Sequence, residues 1–320
     1  MAFVQTRGRM SGSFRPMFLT IGRGTREFLR LSLATTSGRI GLPVVAAHAF
    51  VAIFGSIVAP YPFDEFHVPP LFPADHQLSG PTWTYLLGTD QFGRDVFSRV
   101  LSGAESLIGI SLAGALLGIF LGTVIGMSSG YKGGRADEVV MRIMDGALAF
   151  PGLLLALLVL TTLGAREAPW QWLDDNWEGL LIVLTVGVVH APGISRVMRS
   201  VTLKTKNQEF VMSARLRGEN APYIIFREIL PNALPVLAVE LSVRLSYSIL
   251  IVSTLGFLGL GVQPPSPDWG RMIGEGRQYI GVAPWMTLAP AGAVASLVVG
   301  VNLLTDGIKQ ASGLPREIIR

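Results

Sequence analysis

The sequence predicts an all-α membrane protein with six transmembrane helices, and three observations carry that expectation. The first is composition: of 320 residues 50% are hydrophobic, only 15% are charged, and the mean hydropathy is +0.48, whereas soluble domains carry about 25% charged residues. The second is a set of six apolar runs, at 40–59, 107–127, 139–164, 179–198, 232–256 and 285–305, each near the ~20 residues that cross ~30 Å of hydrocarbon. The third is charge placement. With the N-terminus in the cytoplasm, twenty of the 26 Lys and Arg face that side, five lie outside and one, Arg244, falls in a span. The external loops hold twelve acidic residues, and all six Trp lie in or beside them, a positive-inside pattern with an aromatic belt. The basic balance, +4 with a pI near 9.6, therefore reads as topology and not as nucleic-acid binding.

Residues 1–39 form a cytoplasmic tail with seven Arg, no Lys and one acid, in which 25–33 has the pattern of a short amphipathic helix on the membrane surface. Ile40–Ala59 is too long and too far from the start for a signal peptide, so it is expected to stay as an anchor. A Pro-rich external loop, 60–106, follows. It ends in Leu87-Gly-Thr-Asp-Gln-Phe-Gly-Arg-Asp-Val-Phe-Ser-Arg-Val-Leu-Ser-Gly-Ala104. There Asp90 is expected to cap a helix with Val96, Phe97, Val100 and Leu101 on one face, suited to the interface or to a partner subunit.

Span two repeats Gly once per turn, at 114, 118, 122 and 126. This small-residue stripe admits another backbone, of the same chain or of a partner. The turn Gly130-Tyr-Lys-Gly-Gly-Arg-Ala-Asp-Glu138 leads to Arg142, Asp145 and Pro151-Gly152, where a tolerated kink is expected in span three. After span five, the passage from Gly256 to Met272 is rich in Gly and has three Pro, so an ordered turn over the external mouth is expected. The membrane region thus spans 40–305, with a coupling loop at 199–231 and a cytoplasmic tail at 306–320.

Between spans four and five, residues 209–231 read as a helical hairpin. In its first limb Phe210, Val211 and Ala214 give one apolar stripe, Glu209 stands in the opening turn, and Arg215 and Arg217 in the last, as the helix dipole prefers. Gly218 is the left-handed stop. Asn220 is expected to cap the second limb, Pro222 to sit harmlessly in its first turn, and Pro231 to close it.

This stretch resembles the EAA loop of ABC-importer permeases, with Ala214, Gly218, Leu230 and Pro231 in register and Ser213 for the first Ala. Met212 stands where that pattern has Glu, and Glu228 where it has Ile. The passages 87–152 and 205–277 together resemble permeases of the dipeptide/oligopeptide/nickel group, C-type subunit. The resemblance implies a type I importer fold and no catalysis by this chain. ATP and Mg would be bound by two partner ATPase subunits, next to a homologous second permease, membrane lipid and an external solute-binding protein. The implied cargo is di- or oligopeptides, or alternatively nickel or another small solute. The implied coupling residues are Glu209, Ala214, Arg215, Gly218, Leu230 and Pro231.

Other chemistry is missing from the sequence. It holds no G-x-x-x-x-G-K-[ST] or H-E-x-x-H motif, so a P-loop ATPase or zinc-hydrolase site has no residues to build on. It has no Cys, which removes thiol chemistry and Cys-based metal sites. His67 and His76, near Asp64, Glu65 and Asp75, read as solvated loop residues, and His48 as hydrogen-bonded within the bundle. A self-sufficient secondary transporter is the alternative from another class. Glu240 and Arg244 are the ionisable residues deep in a span. Their i, i+4 spacing predicts a mutual pair that is either structural or exposed on a translocation path.

Overall fold

Thr35 opens the first helix, its hydroxyl accepting from the Gly38 N–H at 3.2 Å. That helix, α1 (Thr36–Val58), leaves Ile53 and Ile57 more than two-thirds exposed, the surface of a helix made for lipid. The structure, a computed structural model, describes residues 32–66, 78–164 and 177–311. The expected surface helix at 25–33 lies outside these except for its last two residues, and His67 and His76 lie outside them too. Among the described residues the chain is helical, with a single isolated bridge, Thr89 to Asp95.

The second helix corrects the expectation in two respects. It is continuous from Val96 to Lys132 (α2), so the anticipated interfacial helix and span two are one element. Its cap is Asp95, which accepts from the Ser98 N–H at 2.8 Å and the Ser98 hydroxyl at 2.6 Å. Asp90 serves the turn before it. Its Oδ1 accepts from the Phe92 and Arg94 N–H groups, and its Oδ2 takes Arg94 Nε at 2.7 Å, with Arg99 Nε 3.6 Å away. Only the acid directly before the first helical residue can reach the orphan N–H groups.

Span three is a broken pair and not a kinked rod. α3 (Gly134–Ala149) and α4 (Gly152–Leu163) meet at 82°. Pro151 pushes the residue before it out of the helical region, and Phe150 is accordingly extended, at φ −83 and ψ 129. Without an N–H, Pro151 also cannot continue the ladder. The chain then runs through α5 (Trp177–Thr205), α6 (Glu209–Leu216) and α7 (Ala221–Phe257), turns back through α8 (Trp269–Gly276), and ends in α9 (Trp285–Ala311). Five helices are long and apolar enough to cross a membrane, and the bent pair, counted as one span, brings the number to six.

The glycine stripe of α2 meets α5 within the chain. A Cβ on Gly114 would stand 2.8 Å from Val186, one on Gly118 2.8 Å from His190 and one on Gly122 2.5 Å from Ile194, while one on Gly126 would run into the Ser195 carbonyl. Side chains of α5 thus fill the places where α2 has none. This close fit of small residues is what holds helices together where water supplies no hydrophobic drive. α1 uses the same device against α9, with Gly38 on Gly307 and Gly41 on Gly300. His48 adds polar contacts there, its Nδ1 2.8 Å from the Val44 carbonyl oxygen and its Nε2 3.2 Å from that of Ala293.

Two clusters of buried side chains result. One, around Leu107, Ile182, Val186, Leu255 and Trp269, joins α2, α5, α7 and α8 at the end opposite the hairpin. The other, around Met127, Ile194, Met198, Val211, Ala214 and Ile229, seats the hairpin.

Between α7 and α8 the Gly- and Pro-rich passage is an ordered turn, as the sequence predicts, and it closes on a buried carboxylate. Asp268 caps α8, its Oδ1 accepting from the Arg271 N–H at 2.8 Å, while Oδ2 is buried without a hydrogen-bond partner. Burial pushes this carboxyl up to about 6, against the opposing pull of the Arg271 N–H and guanidinium. The folded state therefore binds the proton more tightly than the unfolded one. Stability is lost as pH rises from the ordinary carboxylate range through 6, and the loss is complete above it. Asp268→Asn keeps the capping oxygen and never ionises. It is expected to raise thermal stability at pH 7.5 by up to about 3 kcal/mol, the equivalent of a roughly two-unit shift, with the gain shrinking as pH falls from 6 towards 4. An unfolding temperature for Asp268→Asn no higher than wild type at pH 7.5 would contradict the assignment.

Candidate functional site

The hairpin starts at the end of α5, where Lys206 donates to the Gly130 carbonyl at 2.8 Å and so fixes the end of α5 against that of α2. In α6 Val211 and Ala214 are fully buried, and Phe210 packs at their edge. The limb ends as its sequence predicts. Gly218 has φ +81, its N–H bonds to the Arg215 carbonyl at 2.9 Å, and the Glu219 N–H reaches back to Ala214 at 3.2 Å. These are the two bonds of a Schellman stop, and glycine adopts the required left-handed backbone without strain. Asn220 Oδ1 then accepts from the Tyr223 N–H at 2.9 Å and starts the return limb.

That limb does not end at Pro231. Residues Ile224–Ile229 form a π-helical stretch, with the Leu230 N–H bonded to the Ile225 carbonyl, and the helix runs on to Phe257. A proline inside an α-helix loses one bond and presses on the carbonyl four residues back. Widening the turn just before Pro231 relieves both conditions, as π-bulges do. Leu230 packs against the cluster that contains Ala214, while Pro231 is exposed.

The outward face of the hairpin is apolar and basic. Leu216 is 89% exposed, Met212 and Phe226 are each 53% exposed, and Glu209, Arg215 and Arg227 lie beside them on the surface. Arg215 stacks over the Tyr131 ring at 5.2 Å. Glu228, one of the two departures from the loop pattern, bonds to Arg217 of the opposite limb at 3.3 Å, so it braces the hairpin. Met212, the other, belongs to the exposed face.

A second group of charges beside the hairpin carries no local sequence signal. Arg199 of α5 grips Asp137 of α3 with two bonds of 2.6 Å, and Arg196 donates to Asp145 at 2.9 Å. Two ion pairs thus hold the bent third span against the fourth, on the surface that also bears the hairpin.

Deep in α7 the predicted pair forms. Arg244 Nη2 lies 3.1 Å from Glu240 Oε2. Among the described residues no group of His, Asp and Glu side chains is arranged to hold a metal ion.

Residues 114–312 match the family of binding-protein-dependent transport system inner membrane components. The chain belongs to this family. Among similar proteins, the glutathione transport system permease protein GsiD of Pectobacterium atrosepticum is 35% identical, over 89% of this chain and 88% of its own length. The dipeptide transport system permease protein DppC of Alkalihalophilus pseudofirmus is 33% identical over 85% and 84%, and a GsiD of Escherichia coli is 36% identical over 89% and 88%. The protein is thus an ABC-importer permease of the dipeptide/oligopeptide/nickel group, C-type, a multi-pass inner-membrane subunit without enzymatic activity of its own. The 209–231 hairpin and the Glu240–Arg244 pair both lie inside the matched region.

Proposed function

We propose that this permease passes di- or oligopeptides inward, and that the hairpin is where ATP hydrolysis on partner subunits is felt. The observation that carries this reading is the unbroken helix Ala221–Phe257. Its first turns are one limb of the hairpin and its middle holds the Glu240–Arg244 pair, so a force on the exposed face of α6 and α7 displaces a whole membrane span. Leu216, Met212 and Phe226 offer the apolar contact for an ATPase, and Glu209, Arg215 and Arg227 the charged rim. Ala214, Gly218, Leu230 and Pro231 set the shape of that face. A homologous second permease, two ATPases that bind ATP and Mg, and an external binding protein complete the transporter, and closure of the ATPases switches access between the two sides. The Lys and Arg distribution supports a cytoplasmic side for both termini and the hairpin. The names of the relatives, glutathione and dipeptide permeases, support a peptide cargo.

The test is transport by membranes carrying the whole complex, offered dipeptides, oligopeptides, glutathione and nickel with the cognate binding protein. ATP-dependent uptake of a peptide is expected. Uptake of nickel alone would remove the peptide assignment, and uptake without ATPase subunits would remove the coupled mechanism. A reporter fused after Arg320 is expected to read out in the cytoplasm, and one inserted near Gln171 outside.

A further inference from the structure

Arg244 lies at the middle of the apolar run 232–256, on the side of α7 that faces α5. Its Nε and Nη2 both donate to a single oxygen of Glu240, Oε2, at 3.2 and 3.1 Å. Among the described residues Glu240 is its only hydrogen-bond acceptor. Gly193 of α5 provides the space: a Cβ there would stand 2.9 Å from Nη2 and 3.3 Å from Nη1. One turn further along, His190 Nε2 and Ser248 Oγ are 3.0 Å apart. Glu240, Arg244 and Ser248 therefore make a lane of polar groups on one side of α7 at successive turns, inside a membrane span.

The two members of the pair are not equivalent. The Glu240 side chain is 5% exposed and that of Arg244 21%, so the acid is sealed within the chain while the base keeps an open edge. A guanidinium has five N–H donors in a planar fork, and Glu240 engages two of its nitrogens through one oxygen. A charge at this depth does not face hydrocarbon. His190 and Ser248 are themselves buried, so the edge of Arg244 is the part of this polar lane left open at the surface of the chain.

We propose that Arg244 is the point in the translocation path that holds the carboxylate of a passing cargo, with Glu240 as its resident counter-ion. Planar recognition of a carboxylate is what arginine does better than lysine. Because Glu240 already neutralises the charge, an incoming carboxylate meets an exchange partner and not a trap, and it leaves without abandoning a bare cation in the membrane. The proposal rests on the peptide reading above. The cargoes named for the relatives, dipeptides and glutathione, all bear a free carboxylate.

The chain has no Cys, so Arg244→Cys places its sole thiol in the path. In the complete transporter that thiol is expected to react with a charged, membrane-impermeant methanethiosulfonate. Absence of reaction in every nucleotide state, with the complex assembled, would overturn the proposal. In parallel, Glu240→Gln/Arg244→Gln removes the pair without leaving an unpaired charge. Flux of dialanine as the free acid is expected to fall about tenfold, while flux of its C-terminal amide, compared with wild type, stays within twofold. Equal losses for acid and amide would mean a structural pair only, and no loss for the acid would also refute the carboxylate contact. If wild type moves neither form, the same acid and amide pair is made from the peptide that the transport panel identifies as cargo; if the panel identifies none, the peptide assignment fails and the thiol experiment alone decides whether Arg244 lines the path.

Discussion

Gly126→Leu is expected to eliminate most of the assembled permease. The position lies where α2 crosses α5, and a side chain there would meet the backbone of Ser195, its carbonyl oxygen first. A rotamer change can move a side chain aside, but not a helix backbone, so the two longest-packed helices must part. Small increases in core volume already cost about 1–3 kcal/mol, and separation along the stripe adds the loss of the neighbouring contacts at Gly122 and Gly118. Gly109, also on α2 but with nothing within 4 Å of an added Cβ, is the control. Gly109→Leu is expected to accumulate and elute as wild type does. Size-exclusion profiles of the solubilised complex compare the two, and a wild-type profile for Gly126→Leu would show that the α2–α5 contact is not what holds the bundle.

Gly218→Val should leave an assembled transporter that hydrolyses ATP but moves cargo at least tenfold more slowly. Here the obstacle is conformational, because the position has φ +81 and open space around it. A left-handed backbone costs an ordinary residue about 1–2 kcal/mol, and β-branching makes it a genuine outlier. The turn would relax by swinging α6 against the start of α7 and distorting the exposed face. Gly218→Asn, which tolerates the same backbone, is expected to transport nearly normally. Coupled transport at the wild-type rate in Gly218→Val, measured as cargo moved per ATP in proteoliposomes, would remove the hairpin from the coupling role.

What the sequence disclosed about this permease follows the range of the interactions involved. The five long apolar helices, the Gly218 stop, the Asn220 cap and the Glu240–Arg244 pair each rest on residues close together in the chain, so they are legible in order along it. Asp90 was misleading because two acids, at 90 and 95, compete for one cap, and the choice depends on the tight turn at Gly93, φ +73. Pro231 read as a helix end because local rules treat proline as a stop. The π-helical turn that accommodates it depends on packing of Ile224, Ile225 and Ile229 against α5 and α6. The depth of the bend at Pro151 and the grips of Asp137 on Arg199 and of Asp145 on Arg196 join residues 62 and 51 positions apart. Nothing in either local sequence announces such a partner.

The packing of α1 on α9 has a consequence for how the molecule is made. His48 meets Ala293 across 245 residues of chain, so α1 waits for a neighbour that is made much later. At about 5–20 residues per second, roughly 12–50 s pass between the synthesis of the two. Throughout that interval the glycine-lined flank of α1 must lie against lipid or be held by an insertion factor. The open seam then closes only when α9 arrives, which makes α9 the element that completes the packing of α1.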